Sequence, residues 1–163
     1  MSAEYSISPL AQHPDVIPLC AQWAYEEWGQ YIEGRTPEYY VEMFQEYATP
    51  EGIPHTQIAL VNDKPVGMAT IRDYDIGFED SPLKPWLTLV FVDSTHRGNG
   101  IASQLVKAIE DYARTQAVEK LYLYTSSAPR LYAKLSWAEF KKVESPILNK
   151  EKTQASVMMR KLG

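Results

Sequence analysis

The chain has 163 residues, 45% hydrophobic and 12% aromatic, which suits the folded core of one domain and excludes a structureless polypeptide. Its net charge of −5, with no run of Lys or Arg long enough to track a phosphate backbone, makes nucleic acid a poor partner and favours small ligands or cationic ones. The longest apolar stretch, Trp86 to Val92, is far shorter than the ~20 residues of a membrane-spanning helix, so no membrane partner is expected.

Met1 to Tyr5 lack the basic and apolar regions of a signal peptide and Cys20 is the single cysteine, which together predict a cytoplasmic protein. One thiol and three scattered histidines, His13, His55 and His96, give no ligand spacing, and no metal is expected. A short strand at Tyr5–Ser8 precedes the stretch Pro14 to Trp28, where Val16, Leu19, Cys20, Trp23 and Ala24 share one helical face. Gly29 to Arg35 reads as a loop. Thr36 then acts as N-cap and Pro37 as first-turn proline of a second helix carrying Tyr40, Met43, Phe44 and Tyr47, stopped by Pro50. His55–Val61 and Val66–Asp73 are strand-like runs joined by Asn62-Asp63-Lys64-Pro65, an antiparallel hairpin. Trp86–Val92 is nearly all apolar, as a central strand covered on both faces requires.

Beyond the next turn, Ile101, Leu105, Ala108, Ile109 and Tyr112 form a helical stripe to about Gln116, and Leu121–Thr125 is again a strand, so a parallel crossover is implied. A short helix from Pro129 to about Leu135 and strands near Phe140–Glu144 and Ser156–Arg160 complete a mixed α/β layer in the order β-α-α-β-β-β-α-β-α-β-β. With no internal repeat and no low-complexity tract, residues 1–163 read as one domain.

The informative segment is Arg97-Gly98-Asn99-Gly100-Ile101-Ala102-Ser103, which opens the long helix directly after the apolar strand. A helix start leaves backbone N–H groups unpaired and partly positive, and glycines let a phosphate approach them. No acidic side chain occurs between Gly98 and Ile109, so the site is left open to an external anion. Two glycines can equally just shape a tight turn. No Gly-Lys-Ser/Thr follows, which excludes a nucleotide P-loop; Ser103 stands where a dinucleotide fingerprint needs glycine, and Glu119 precedes the next strand instead of ending it.

In this setting Arg97, Gly100 and Ala102 fit, in order, the Arg/Gln-x-x-Gly-x-Gly/Ala loop of the GNAT superfamily of acyl-CoA-dependent N-acetyltransferases. The strand Leu89–Val92 resembles that family's acyl-CoA strand, and Leu131-Tyr132-Ala133-Lys134-Leu135-Ser136-Trp137 resembles its Leu-Tyr-x-Lys-x-Gly-Phe signature. Trp86-Leu87 and the short Tyr124-to-Tyr132 connection are similar to a bacterial subgroup distantly like the actin N-terminal acetyltransferase. The resemblance implies a GNAT fold: α/β, with a mixed, mostly antiparallel central sheet, splayed parallel strands and flanking helices. It implies acetyl-CoA as acyl donor, its pantetheine arm between Val90-Phe91-Val92 and the strand from Leu121, and its pyrophosphate on Gly98, Asn99, Gly100, Ile101, Ala102 and Ser103, with Arg97 adding charge or lying in solvent. Splayed strands expose backbone groups that bond pantetheine and polarise a thioester carbonyl.

By the resemblance, Tyr132 matches the family tyrosine that protonates the departing thiolate, and a phenol of pKa ~10 stays protonated at neutral pH, as such an acid must; without that match it reads as a packed helix tyrosine. Thr125 stands where many relatives carry a cofactor-contacting Asn. The expected carboxylate is missing at Tyr124, so Asp73, Asp75, Glu79 and Asp80, in a loop that solubility alone would also explain, are left to deprotonate the amine. Trp28, Tyr31, Glu79 and Tyr124 are the acceptor-site candidates, with Glu33 beside them, although Trp28 also suits a cap on the core. Cys20 falls on an apolar helix face away from any His, which favours burial over a covalent acyl-enzyme and predicts direct transfer in a ternary complex. The acceptor is a primary amine, small or peptidic; the competing reading is an acyl-CoA-binding module without turnover. A homodimer through the C-terminal strands is the further expectation.

Overall fold

In the computed structural model, which describes residues 5–145 and 154–163, seven strands form one sheet in the order β1-β2-β3-β4-β5-β7-β6. They are β1 (Tyr5–Pro9), β2 (His55–Val61), β3 (Lys64–Arg72), β4 (Trp86–Val92), β5 (Lys120–Thr125), β6 (Ala138–Glu144) and β7 (Gln154–Lys161). The helices are α1 (Ile17–Glu27), α2 (Pro37–Tyr47), α3 (Ile101–Thr115) and α4 (Pro129–Lys134). Every neighbouring pair is antiparallel except β4 with β5. Among the described residues no helix is long and apolar enough to cross a membrane.

Local chemistry explains most boundaries. The Thr36 hydroxyl accepts the Tyr39 N–H at 3.1 Å and Pro37 opens α2, so the anticipated cap is present. The stretch Pro14 to Trp28, expected as one helix, instead begins with a 3₁₀ turn over Pro14–Val16. Pro18 has no N–H to give the Pro14 carbonyl, which bonds the Ile17 N–H instead. The hairpin is tighter than the four residues anticipated: Val61 pairs with Lys64, leaving Asn62 and Asp63 at φ of 49° and 65°, a two-residue turn that these side chains tolerate.

The sheet is covered on both faces. On one, α1 and α2 bury Trp23, Tyr40 and Phe44 with Ile58, Met68 and Leu89. On the other, α3 buries Leu105, Val106 and Ile109 with Ala59, Ile71, Leu87 and Leu121. Strand β4 thus feeds both cores, as its unbroken apolar run requires. It is also bent. Met68 pairs with Phe91 and Thr70 with Thr88, so Leu89 and Val90 together face Ala69, and Leu89 adopts φ 56°. A bulge of this kind re-aims the strand, and a leucine at positive φ is a strained conformation that the surrounding packing must hold. Gly67 makes the bend possible: a Cβ there would lie 2.8 Å from the Phe91 carbonyl oxygen and 3.1 Å from Leu105.

Past the bulge, β4 leaves β5. The two strands share one registered pair, Trp86 with Tyr122, reinforced by the Tyr122 N–H on the Pro85 carbonyl at 3.1 Å. Phe78, Leu83 and Tyr124 pack around Trp86, Tyr122 and Val157 and pin that closed end.

Candidate active site

A cavity of about 610 Å3 opens where β4 and β5 part, walled by Leu87–Val92 on one side and Leu123–Thr125 on the other. Because the strands separate after one pair, the β4 and β5 edges facing the gap keep unpaired N–H and C=O groups, which favour an extended, amide-bearing guest. Connectivity brings two helices to its rim: α3 follows β4 and α4 follows β5.

At the α3 rim the helix N-terminus has no side-chain cap and no acidic residue in its first turn. Gly98 and Gly100 lie at φ 81° and 77°, and a Cβ at either would meet nothing within 4 Å. Glycine is therefore needed for the backbone conformation, and the space in front of the loop is open. Arg97 donates from Nε to the Val92 carbonyl at 2.9 Å, and its guanidinium lies 5.7 Å from the Phe91 ring centre, so its remaining N–H groups are held at the cavity wall. Val90, Phe91, Val92, Arg97, Ala102 and Thr125 line the cavity. Gly98, Asn99, Gly100, Ile101 and Ser103 do not; Ile101 turns its side chain into the core. The Thr125 hydroxyl accepts the Ala128 N–H at 3.0 Å and so shapes the turn into α4.

On α4, Tyr132 is buried, lines the cavity and packs edge-on against Trp137 with ring centres 6.1 Å apart. Burial pushes its phenol up to about 12, so it carries its proton at any physiological pH.

Glu27, Trp28, Asp75, Ile76 and Tyr124 also line the cavity, with the Asp75 charge felt at Tyr124. Beneath it lies Arg72, 3% exposed, whose guanidinium reaches Asp75 Oδ1 at 3.1 Å, the Tyr47 hydroxyl at 3.1 Å, the Tyr74 carbonyl at 3.1 Å and the Thr88 hydroxyl at 3.4 Å. Asp75 Oδ1 also accepts the Ile76 N–H at 2.8 Å. Burial pushes the Asp75 carboxyl above the usual carboxylate range, with the Arg72 charge opposing. Burial likewise raises the Tyr124 phenol, reinforced by the Asp75 charge.

Of the acceptor candidates, Trp28 and Tyr124 line the cavity; Tyr31 and Glu79 stay outside it. Tyr31 is 47% exposed on a short turn, and Glu79 spends Oε1 on the Gly77 N–H at 2.8 Å, bracing its own loop. Of the four loop acids only Asp75 lines the cavity. Glu27 had not been singled out, although a signal existed: Glu26-Glu27 close α1 with no basic residue in the last turn, against the helix dipole. Cys20 lies in the core between α1 and α2, away from the cavity, with its thiol pushed up to about 12 by burial. Among the described residues no three His, Cys, Asp or Glu side chains group as metal ligands.

A sequence profile described as the acetyltransferase (GNAT) family matches residues 20–137, most of the chain. No curated protein matches the chain significantly. Solved structures do. An acetyltransferase of the GNAT family from Streptococcus pneumoniae aligns over 98% of this chain and 100% of its own, with TM-score 0.71 and 16% identity. An aminoglycoside 6'-N-acetyltransferase complexed with coenzyme A aligns over 97% of both chains, with TM-score 0.71 and 17% identity. A NatC complex bound to Gag peptide and CoA contains a chain that aligns over 98% of this one and 99% of its own, with TM-score 0.71 and 19% identity. At these identities the likeness is one of fold.

Proposed function

From the premise that the chain belongs to the GNAT acetyltransferase family, we propose that it transfers acetyl from acetyl-CoA directly to a primary amine bound in the same cavity. The observation that carries this reading is the gap between β4 and β5, open after a single pair, with a free helix N-terminus at one rim and a protonated tyrosine at the other.

The pantetheine arm bonds the unpaired edge of β4, the pyrophosphate lies against the first amides of α3, and Arg97 adds positive charge at that rim. Leu89 and Val90, turned by the bulge, present backbone N–H groups toward the thioester carbonyl, where negative charge develops in the transition state. The amine nitrogen attacks the carbonyl carbon; as the C–S bond breaks, the Tyr132 hydroxyl gives its proton to the departing sulfur. The buried, un-ionised Cys20 thiol, outside the cavity, supports direct transfer without an acyl-enzyme. The opposite charges on the cavity wall support the division of labour: Arg97 and a helix N-terminus toward the donor phosphates, Glu27 and Asp75 toward a cationic acceptor.

The test is release of coenzyme A thiol from acetyl-CoA across peptides with varied N-termini, polyamines, aminoglycosides and amino acids. Release with one amine class is the expected result. Calorimetric binding of acetyl-CoA with silence across the panel favours the binding-module alternative.

A further inference from the structure

We propose that Asp75 is the general base of the reaction, taking the proton of the acceptor ammonium on Oδ2 while Oδ1 stays anchored to Arg72 and the Ile76 N–H. This rests on the transferase reading above. Its ground is placement: of the four loop acids, Asp75 alone lines the cavity, held there by its ion pair with Arg72. Oδ1 carries both hydrogen bonds, at 3.1 Å and 2.8 Å. The Thr88 hydroxyl adds a further contact to the carboxylate, in a residue that is buried yet forms part of the cavity wall. A carboxylate on a cavity wall keeps lone pairs for a further donor. The ammonium of an acceptor is that donor.

The chemistry balances. One N–H proton of the ammonium passes to Oδ2, which frees the nitrogen lone pair for attack on the thioester carbon. The tetrahedral adduct sheds a second N–H proton, which replaces the one Tyr132 gives to the thiolate, and the Asp75 proton returns to solvent. Protonation at Oδ2 leaves Oδ1 a carbonyl oxygen able to keep both its bonds. It does not strand Arg72 either. That guanidinium is also held by the Tyr47 and Thr88 hydroxyls and the Tyr74 carbonyl, and it lies 4.5 Å and 5.8 Å from the Tyr74 and Tyr47 ring centres. Neutral acceptors and aromatic faces solvate the cation while its ion-pair partner is briefly neutral. Burial raises the Asp75 carboxyl and so makes it a stronger base than an ordinary carboxylate.

Arg72 on β3, the Thr88 hydroxyl on β4 and the Ile76 N–H shape the titration of Asp75; Tyr47 on α2 and the Tyr74 carbonyl share Arg72 with it, Tyr124 on β5 feels its charge together with those of Glu79 and Arg72, and Glu27 lies on the same cavity wall.

The test is the pH dependence of kcat/KM for whichever amine the panel identifies. Wild type is expected to show an acidic limb followed by a plateau. Asp75→Asn is expected to lower turnover at neutral pH by roughly 100-fold or more, with acetyl-CoA affinity kept, and to replace the plateau with a rate that climbs toward the pKa of the amine itself. Removing Asp75 alone leaves a buried cation uncompensated and threatens folding, so Arg72→Gln and the double change Arg72→Gln with Asp75→Asn complete the set. Arg72→Gln is expected to move the acidic limb to higher pH, and the double change to abolish the plateau. If Asp75→Asn or the double variant keeps the wild-type profile, or if Glu27→Gln removes the plateau instead, Asp75 is not the base. Absence of turnover by wild type with every amine sinks the transferase reading itself, a distinguishable result.

Discussion

Two Arg–carboxylate pairs, each with a buried carboxylate, differ in what the carboxylate faces. Glu110, in the middle of α3, takes the Arg160 guanidinium of β7 on Oε1 at 3.2 Å and the Trp137 indole N–H on Oε2 at 2.9 Å. Oε2 accepts a hydrogen bond and Oε1 faces the Arg160 charge, so three separate segments are tied together. Asp75 spends Oδ1 on Arg72 and the Ile76 N–H, and the residue lines a cavity. A buried carboxylate enclosed by protein groups fixes architecture, whereas one on a cavity wall is open to a partner from outside. Tyr132 lies between these cases: Trp137, held by Glu110, packs on its ring, and the same cavity that Asp75 lines reaches it.

The largest effect is therefore expected at Tyr132. Tyr132→Phe keeps the ring contact with Trp137 and removes only the proton, so turnover should fall by roughly 10²–10⁴-fold with unchanged acetyl-CoA affinity and unchanged Tm. Thiol-release kinetics beside calorimetry check this, and unaltered turnover would remove Tyr132 from the mechanism.

Glu110→Gln isolates the architectural pair. It keeps a hydrogen-bond acceptor for Trp137 but leaves the Arg160 charge unpaired. Breaking a fully buried pair costs 3–5 kcal/mol, and because Arg160 reaches solvent we expect about 2 kcal/mol, or a Tm lower by roughly 4–8 °C. The pH profile of turnover should not change. A shifted profile would show that the two pairs are not separate in function.

Glu27 completes the series as a carboxylate with no partner at all among the described residues, half-buried on the cavity wall. Glu27→Gln should leave Tm unchanged, or raise it slightly by easing the α1 dipole. It should raise the acceptor KM about tenfold, the weight of one charge-assisted hydrogen bond, with little change in kcat. Steady-state kinetics with the active amine decide it; an unchanged KM removes Glu27 from acceptor recognition.

Much of this arrangement was legible in the sequence, for reasons that also mark the limit. Periodicity and turn residues found β2 and β4 to the residue, because His55–Val61 and Trp86–Val92 are bounded by unmistakable breaks. Local composition found the open α3 start, since the want of an acid between Gly98 and Ile109 is visible without coordinates. The bulge at Leu89 was not visible, because it exists only in the register against β3. Nor was the environment of Arg72, near the end of a strand whose far side is filled by Tyr47 from α2 and Asp75 from the following loop. Four loop acids are equivalent as letters. Burial and a place on the cavity wall distinguish Asp75, and both arise only when the loop meets β4 and β5.

His55 supplies the smallest effect and tests the same rule with a base. It is fully buried and stacked on Tyr112 with ring centres 3.7 Å apart; Nδ1 bonds the Thr49 carbonyl at 2.8 Å and Nε2 the Gln57 side-chain amide at 2.8 Å. Since a carbonyl only accepts, Nδ1 carries the proton and Nε2 accepts, so the neutral ring is completely satisfied. Burial lowers its pKa below 6.5. The unfolded chain then binds more protons than the native one as pH falls below 6.5, and stability contributed by the neutral ring is lost progressively toward the lowered native value. Asp75 acts with the opposite sign: its raised carboxyl binds more protons in the native state, so its contribution is present at low pH and lost as pH rises through its native value. In the protein carrying Arg72→Gln with Asp75→Asn that opposing contribution is absent, and Tm should fall between pH 7 and pH 5.5. Imidazole nitrogen shifts read by NMR should show the Nδ1–H tautomer persisting across that range; a His55 ring that charges near pH 6.5 would mean its two hydrogen bonds do not hold it neutral.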